Sequence, residues 1–130
     1  MILLDTDICI ELLRGNAKVL SHMQRNSGNI AVSFITAGEL YYGAFNSSDP
    51  ESNLRLIKAF LETLIVIQSD NGIMKKFGDL KADLRKKGQM LPDADIIVAS
   101  TCLQMCSGLI TGNIKHYNRF VSIKLENWIE

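Results

Sequence analysis

Met1-Ile2-Leu3-Leu4-Asp5-Thr6-Asp7-Ile8-Cys9-Ile10-Glu11-Leu12-Leu13-Arg14-Gly15 changes its hydrophobic period halfway, and that change sets the fold class. Residues 1–5 form an unbroken apolar run ended by an acid, the pattern of a buried strand. From Asp7 to Leu13 the apolar positions recur at helical spacing, and Gly15 stops them. A buried strand that passes straight into a helix is the first half of a parallel β-α-β unit.

The same alternation continues along the chain. Asn16 suits the cap of a second helix carrying Val19, Leu20 and Met23, and residues 29–33 read as a second strand. A helix is predicted from Thr36 to Phe45, another from Asp49-Pro50 through Leu61, and a short strand from Leu64 to Ile67. A charged helix follows from Ser69 to Lys86, broken at Lys87-Gly88-Gln89. Pro92 suits the first turn of an apolar helix running to Cys106. Leu109 to Thr111 gives a fourth strand, Lys115 to Arg119 a helical turn, and Val121 to Leu125 a last strand. The prediction is one α/β domain over residues 1–130, with a parallel sheet of about five strands and helices on both faces.

Composition narrows the function. With 130 residues, and 14 basic residues balancing 14 acidic ones, the chain is no polycation. Nucleic-acid binding therefore has to come from a local patch. Residues 1–5 lack the basic lead of a secretory signal, and the apolar stretch 94–110 contains Asp95 and is too short to span a bilayer. Cys9, Cys102 and Cys106 are odd in number and lack zinc-site spacing, so free thiols in a cytoplasmic protein are expected.

In a parallel sheet, ligands gather beyond the carboxyl ends of the strands. Asp5 ends the first strand, Thr111 and Asn113 end the fourth, Glu39 lies a turn into the helix after the second, and Asp93 and Asp95 open the helix leading to the fourth. Two carboxylates 4–5 Å apart repel by about 4 kcal/mol at an effective dielectric of about 20. A cluster of three or four needs a cation or raised pKa values, and an all-oxygen site suits Mg²⁺ or Mn²⁺. Each acid also has a purely structural reading. Thr36-x-x-Glu39 can be a capping box, and Asp93 and Asp95 can favour the positive end of a helix. Asp5 is harder to place structurally, because an acid closing an apolar run must emerge somewhere polar.

Four segments spanning nearly the whole chain resemble the PIN-domain nucleases, and within them the VapC-type toxins of toxin–antitoxin pairs. They are Leu4-Asp5-Thr6-Asp7 with Leu12-Leu13-Arg14-Gly15; Ser33-x-x-Thr36-x-x-Glu39-Leu40-x-x-Gly43; Pro92-Asp93-Ala94-Asp95-Ile96-Ile97-Val98-Ala99; and Thr111-Gly112-Asn113 with His116-Tyr117 and Glu126-Asn127-Trp128. The resemblance implies Mg²⁺-dependent endonucleolytic cleavage of RNA, leaving 5′-phosphate and 3′-hydroxyl ends. Asp5 and Asp95 would hold the ion, and Glu39 would bind a metal water or act as base. Thr6, Thr36 and Thr111 would orient these groups. It further implies a homodimer and an antitoxin (VapB-like) that occupies the active-site groove.

Two positions depart from the family. Asp7 stands where Asn is frequent, and Asn113 stands where many members carry Asp, so Asp7 or Asp93 could supply the missing charge. Lys75, Lys76, Lys81, Arg85, Lys86 and Lys87 lie on one charged helix. They are either a solvated face or, with Arg14, Lys18 and Arg25, a track for RNA phosphates. His22 and His116 read as surface or packing residues, although His116 and Arg119 follow the fourth strand and could touch substrate. Tyr41, Tyr42 and Phe45 read as core or a subunit contact.

Two other functions fit parts of the pattern. Asp5-Thr6-Asp7 resembles the opening of haloacid-dehalogenase-type phosphatases, which would make Asp5 a covalent nucleophile. A non-catalytic PIN-like module binding RNA or protein is the other reading.

Overall fold

The computed structural model describes residues 1–26 and 28–130. Strand β1 (Ile2–Leu4) leads into α1 (Thr6–Leu13) and α2 (Ala17–Arg25). After β2 (Ile30–Ser33) come α3 (Phe34–Phe45) and α4 (Pro50–Glu62). Then β3 (Ile65–Ile67) is followed by α5 (Asn71–Lys87) and α6 (Asp93–Met105), and β4 (Gly108–Ile110) by α7 (Ile114–Tyr117) and β5 (Leu125–Glu126). The strands form one parallel sheet of five, as the alternating pattern predicts, and their order is β3-β2-β1-β4-β5.

Pleating divides the core in two. Leu3, Ala31 and Leu109 face a layer made by α5, α6 and α7, with Ile73, Leu84, Ile96 and Tyr117. Leu4, Ile30, Val32 and Ile110 face α1 to α4, with Ile8, Val19, Leu40, Ile57 and Trp128. Strand order reverses at β1, whose partners are β2 and β4. The crevice beyond the carboxyl ends of β1 and β4 is therefore the place this topology offers a ligand.

Several boundaries differ from the sequence reading. Helix α1 begins at Thr6, because the Asp5 carboxylate accepts the Thr6 N–H and caps it. Helix α3 begins at Phe34, because the Ser33 hydroxyl accepts the Ile35 N–H and is the cap in place of Thr36. Pro92 is the residue before α6, not part of its first turn. The predicted strand Val121–Leu125 is mostly a turn: Ile123 N–H donates to Phe120 O, and Val121 is 96% exposed. Only Leu125 and Glu126 pair with β4. The alternation of Val121, Ile123 and Leu125 imitates a strand, although only the last two reach apolar neighbours. No helix among the described residues is long and apolar enough to cross a membrane.

Candidate active site

The end of β1 becomes the start of α1 without a loop, so Asp5 stands at the strand edge while capping the helix. One carboxylate oxygen accepts the Thr6 N–H at 2.9 Å, and the other accepts the Thr111 hydroxyl at 2.8 Å. Thr111 is fixed in turn by the Asn113 N–H at 3.0 Å. Asp5 is 5% exposed. Burial above all, and then the charge of Asp7, push its carboxyl from 3.8 up to about 6. The Thr111 and Thr6 bonds oppose that shift, and Asp95 adds to it. The site thus holds negative charge under strain, as paired carboxylates do when nothing positive lies between them.

Asp7 belongs to the same group. One oxygen accepts the Gly112 N–H at 2.8 Å, whereas the other is buried without a hydrogen-bond partner among the described residues. Burial raises its pKa, the Gly112 bond lowers it, and Asp95 is a further raising charge. A Cβ at position 112 would lie 2.7 Å from the Asp7 carboxylate and 2.9 Å from Ile129, so a side chain there would have to displace them.

Glu39 projects from the second turn of α3, and it is not the partner of a capping box. Its carboxylate accepts the Thr6 hydroxyl at 2.7 Å, and the buried Thr36 hydroxyl lies 3.0 Å from the same Thr6 oxygen. With one proton on each hydroxyl, Thr36 donates to Thr6 and Thr6 donates to Glu39. Asp95, in the first turn of α6, lies 2.9 Å from the Nδ1 of His116 on α7. The two neighbouring acids of this turn have different fates, because Asp93 is paired with Lys81 at 2.9 Å. Asp93 is thereby held on α5, leaving Asp7 to supply any extra charge beside Asp5.

Under this cluster, the Tyr117 hydroxyl is buried without a well-formed hydrogen bond to any described residue. Its pKa is pushed far up, by burial first and then by Asp5 and Asp95.

The chemistry of these donors fits a hard cation. They are all oxygen, one is orphaned and buried, and Asp5 carries an uncompensated tendency to stay protonated. Among the described residues no three His, Cys, Asp or Glu side chains converge into a ready-made cage.

The remaining predicted positions lie further out. Arg14 lines a groove with Glu39, Ile10, Leu13, Leu40 and Leu56, and it pairs with Glu11 at 3.4 Å. Lys86 and Lys87 lie in the last turn of α5, with Lys87 paired to Asp83 at 2.9 Å. No contact among the described residues ties these lysines to the acids. Arg119 donates to Gln89 O at 2.6 Å and Lys115 O at 3.4 Å. His22 stacks on Trp128, with centroids 5.4 Å apart and planes 4° apart, which makes it a packing residue as expected. His116 is the residue whose place the sequence reading missed. Its signals were its position six residues after the end of the fourth strand and its place, beside Tyr117, in the fourth family-like segment. All three cysteines are free, and burial raises Cys102 to about 12.

A β3-β2-β1-β4-β5 parallel sheet with acids from β1, α3 and α6 at its switch point defines a class, and comparison bears it out. The PIN domain family model matches residues 2–119, and the chain belongs to that family. Within it, the chain is 34% identical to Ribonuclease VapC2 of Haemophilus influenzae over 98% of this chain and 97% of that one. It is 29% identical to the tRNA(fMet)-specific endonuclease VapC of Shigella flexneri, covering 97% of this chain and 96% of that one. Among solved structures, DNA-bound VapBC from Salmonella typhimurium matches with a TM-score of 0.92 at 28% identity, covering 98% of this chain and 97% of that chain. VapBC2 from Rickettsia felis, bound to a promoter DNA fragment, matches with a TM-score of 0.91 at 30% identity, over 98% and 99% of the two chains.

Proposed function

We propose that this chain is a Mg²⁺-dependent endoribonuclease and the toxin of a VapBC-type pair. The observation that carries the reading is the placement of Asp5, Asp7 and Asp95 at the switch point of a PIN fold, near enough that the charges of Asp7 and Asp95 add to burial in raising the Asp5 carboxyl to about 6. The near full-length likeness to VapC ribonucleases supports RNA as the substrate, and the likeness to VapBC complexes supports a VapB-like antitoxin as the partner. Residues 1–130 act as one PIN domain. Mn²⁺ is expected to substitute for Mg²⁺, because the donors are oxygen and the geometry is open.

Asp5 and Asp95 would hold the ion, with Asp7 adding charge beside Asp5 and Asn113 lining the rim. When bound, the ion supplies positive charge for the scissile phosphate and acidifies a water. Glu39, steadied by Thr6 and Thr36, holds the attacking water and takes its proton. Thr111 keeps Asp5 aligned by donating to it. Attack on phosphorus with departure of the 3′ oxygen leaves a 5′-phosphate and a 3′-hydroxyl. Arg14, at the mouth of the Glu39 groove, and Lys86 and Lys87 on α5 contact RNA phosphates. Tyr42 and Phe45, 69% and 66% exposed on α3, offer a homodimer contact.

The rival phosphatase chemistry requires Asp5 as a free nucleophile, but here both its oxygens accept hydrogen bonds and one caps a helix. The test is incubation of the purified, antitoxin-free chain with total RNA in Mg²⁺ or in EDTA, beside Asp95→Asn. Cleavage confined to the unmodified chain in Mg²⁺ is expected. Equal cleavage by Asp95→Asn, or in EDTA, overturns the assignment. A chain silent in both conditions, yet effective in arresting growth as Asp5→Asn, would be a binding module.

A further inference from the structure

We propose that His116 is a positioning residue for Asp95: its Nδ1–H donates to one carboxylate oxygen and leaves the other free to bind the cation. The inference rests on the metal-dependent nuclease reading and deepens it.

The bond is 2.9 Å long and ends on Asp95 Oδ2. An ionised carboxylate can only accept, so it selects the form of the ring with hydrogen on Nδ1. Asp95 Oδ1 has no hydrogen bond to any described residue, and neither oxygen of Asp95 is a buried orphan. Each of the three principal acids therefore has one side-chain donor of its own. Thr111 serves Asp5, Thr6 serves Glu39, and His116 serves Asp95. Asp93, two residues from Asp95, accepts instead from Lys81 on α5, away from the other acids.

Local stability does not account for the bond. The two side chains are 42% and 24% exposed, and a polar contact so open to water contributes little to folding. Nor is α7 stable by itself, being four residues long with no side-chain cap. It is held from outside. Tyr117 is fully buried beside Asp5, and Arg119 bridges Lys115 O in α7 to Gln89 O in the segment leading to α6. These two anchors fix α7 against the start of α6, which brings the His116 ring onto Asp95. Carboxylate ligands held by such outer donors typically lose 10–100-fold in metal affinity when the donor is removed.

The experiment is Mn²⁺ binding by the purified full chain, followed by the electron paramagnetic resonance signal of free Mn²⁺. The chains compared are unmodified, His116→Ala, His116→Asn and Asp95→Asn, each with its metal-free melting temperature. Asparagine places an amide N–H close to the position of Nδ1. His116→Ala is expected to bind at least about tenfold more weakly with an unchanged metal-free melt, and His116→Asn to recover to within about threefold. Unchanged affinity in His116→Ala, while Asp95→Asn loses binding, overturns the role of His116 alone. Loss in both His116 variants makes the ring itself the requirement and also overturns the donor role. Full binding by Asp95→Asn, or none by the unmodified chain, overturns the site reading on which the proposal stands.

Discussion

Burial and Asp7 push the Asp5 carboxyl from 3.8 to about 6, so the fold favours the protonated form. Below pH 3.8 the carboxyl is neutral in folded and unfolded chains alike, and nothing is lost. Between pH 3.8 and about 6 the unfolded chain gives up its proton first, so stability falls as pH rises. Above that window the cost is constant at about 3 kcal/mol. In EDTA, urea denaturation should therefore show a more stable protein at pH 5 than at pH 7.5. Asp5→Asn should remove most of that difference and raise metal-free stability at pH 7.5 by about 2 kcal/mol. Equal stability of the two chains at pH 7.5 would contradict the account. Asp5 could be singled out from the sequence because an acid closing a buried strand has few places to go. The role of Glu39 could not be settled there, since Thr36-x-x-Glu39 reads equally well as a cap. That ambiguity ends only when Ser33 is seen to cap α3.

Helix α5 ends at Gly88, whose φ of +65° is left-handed and whose N–H reaches Arg85 O at 3.2 Å. Gly88→Ala should cost about 1 kcal/mol, read from the urea midpoint, because a Cβ is disfavoured in that region. At its other end, Asp70 accepts the Ile73 N–H at 2.8 Å. Asp70→Ala should cost about 1 kcal/mol in the same measurement. A loss below about 0.3 kcal/mol in both would show that packing on α6, rather than the ends, sets this helix. Both ends are local features, and Gly88 was read directly as a break. The C-terminal segment was not legible in the same way, because the apolar alternation of 121–125 is shared by a strand and by a turn with one buried residue. Which residues pair is decided by the reach of β4, a non-local fact. The bond between α7 and α6 spans 21 positions and was equally hidden.

At the scale of the whole molecule, the order of strands collects side chains from distant segments. Parallel pairing of β1 with both β2 and β4 puts Asp5 at the reversal, and the connections on either face deliver Glu39 and Asp95. Period changes in the sequence were enough to predict the first four strands of this sheet, because central strands of a parallel sheet are short, continuous apolar runs. Side-chain partners such as Lys81 for Asp93 were not legible, as they depend on how α5 packs against α6. The central claim is that these acids form a metal-dependent ribonuclease site. Its most direct test is cleavage of a 5′-labelled RNA of defined sequence in Mg²⁺ and in EDTA by the unmodified chain, Asp5→Asn and Glu39→Gln, with both new ends identified. The account requires cuts in Mg²⁺ only, 5′-phosphate and 3′-hydroxyl ends, and a rate at least about 100-fold lower in both variants, as expected for loss of transition-state charge stabilisation or of a general base. A 2′,3′-cyclic phosphate end, or full activity of Asp5→Asn, would contradict it.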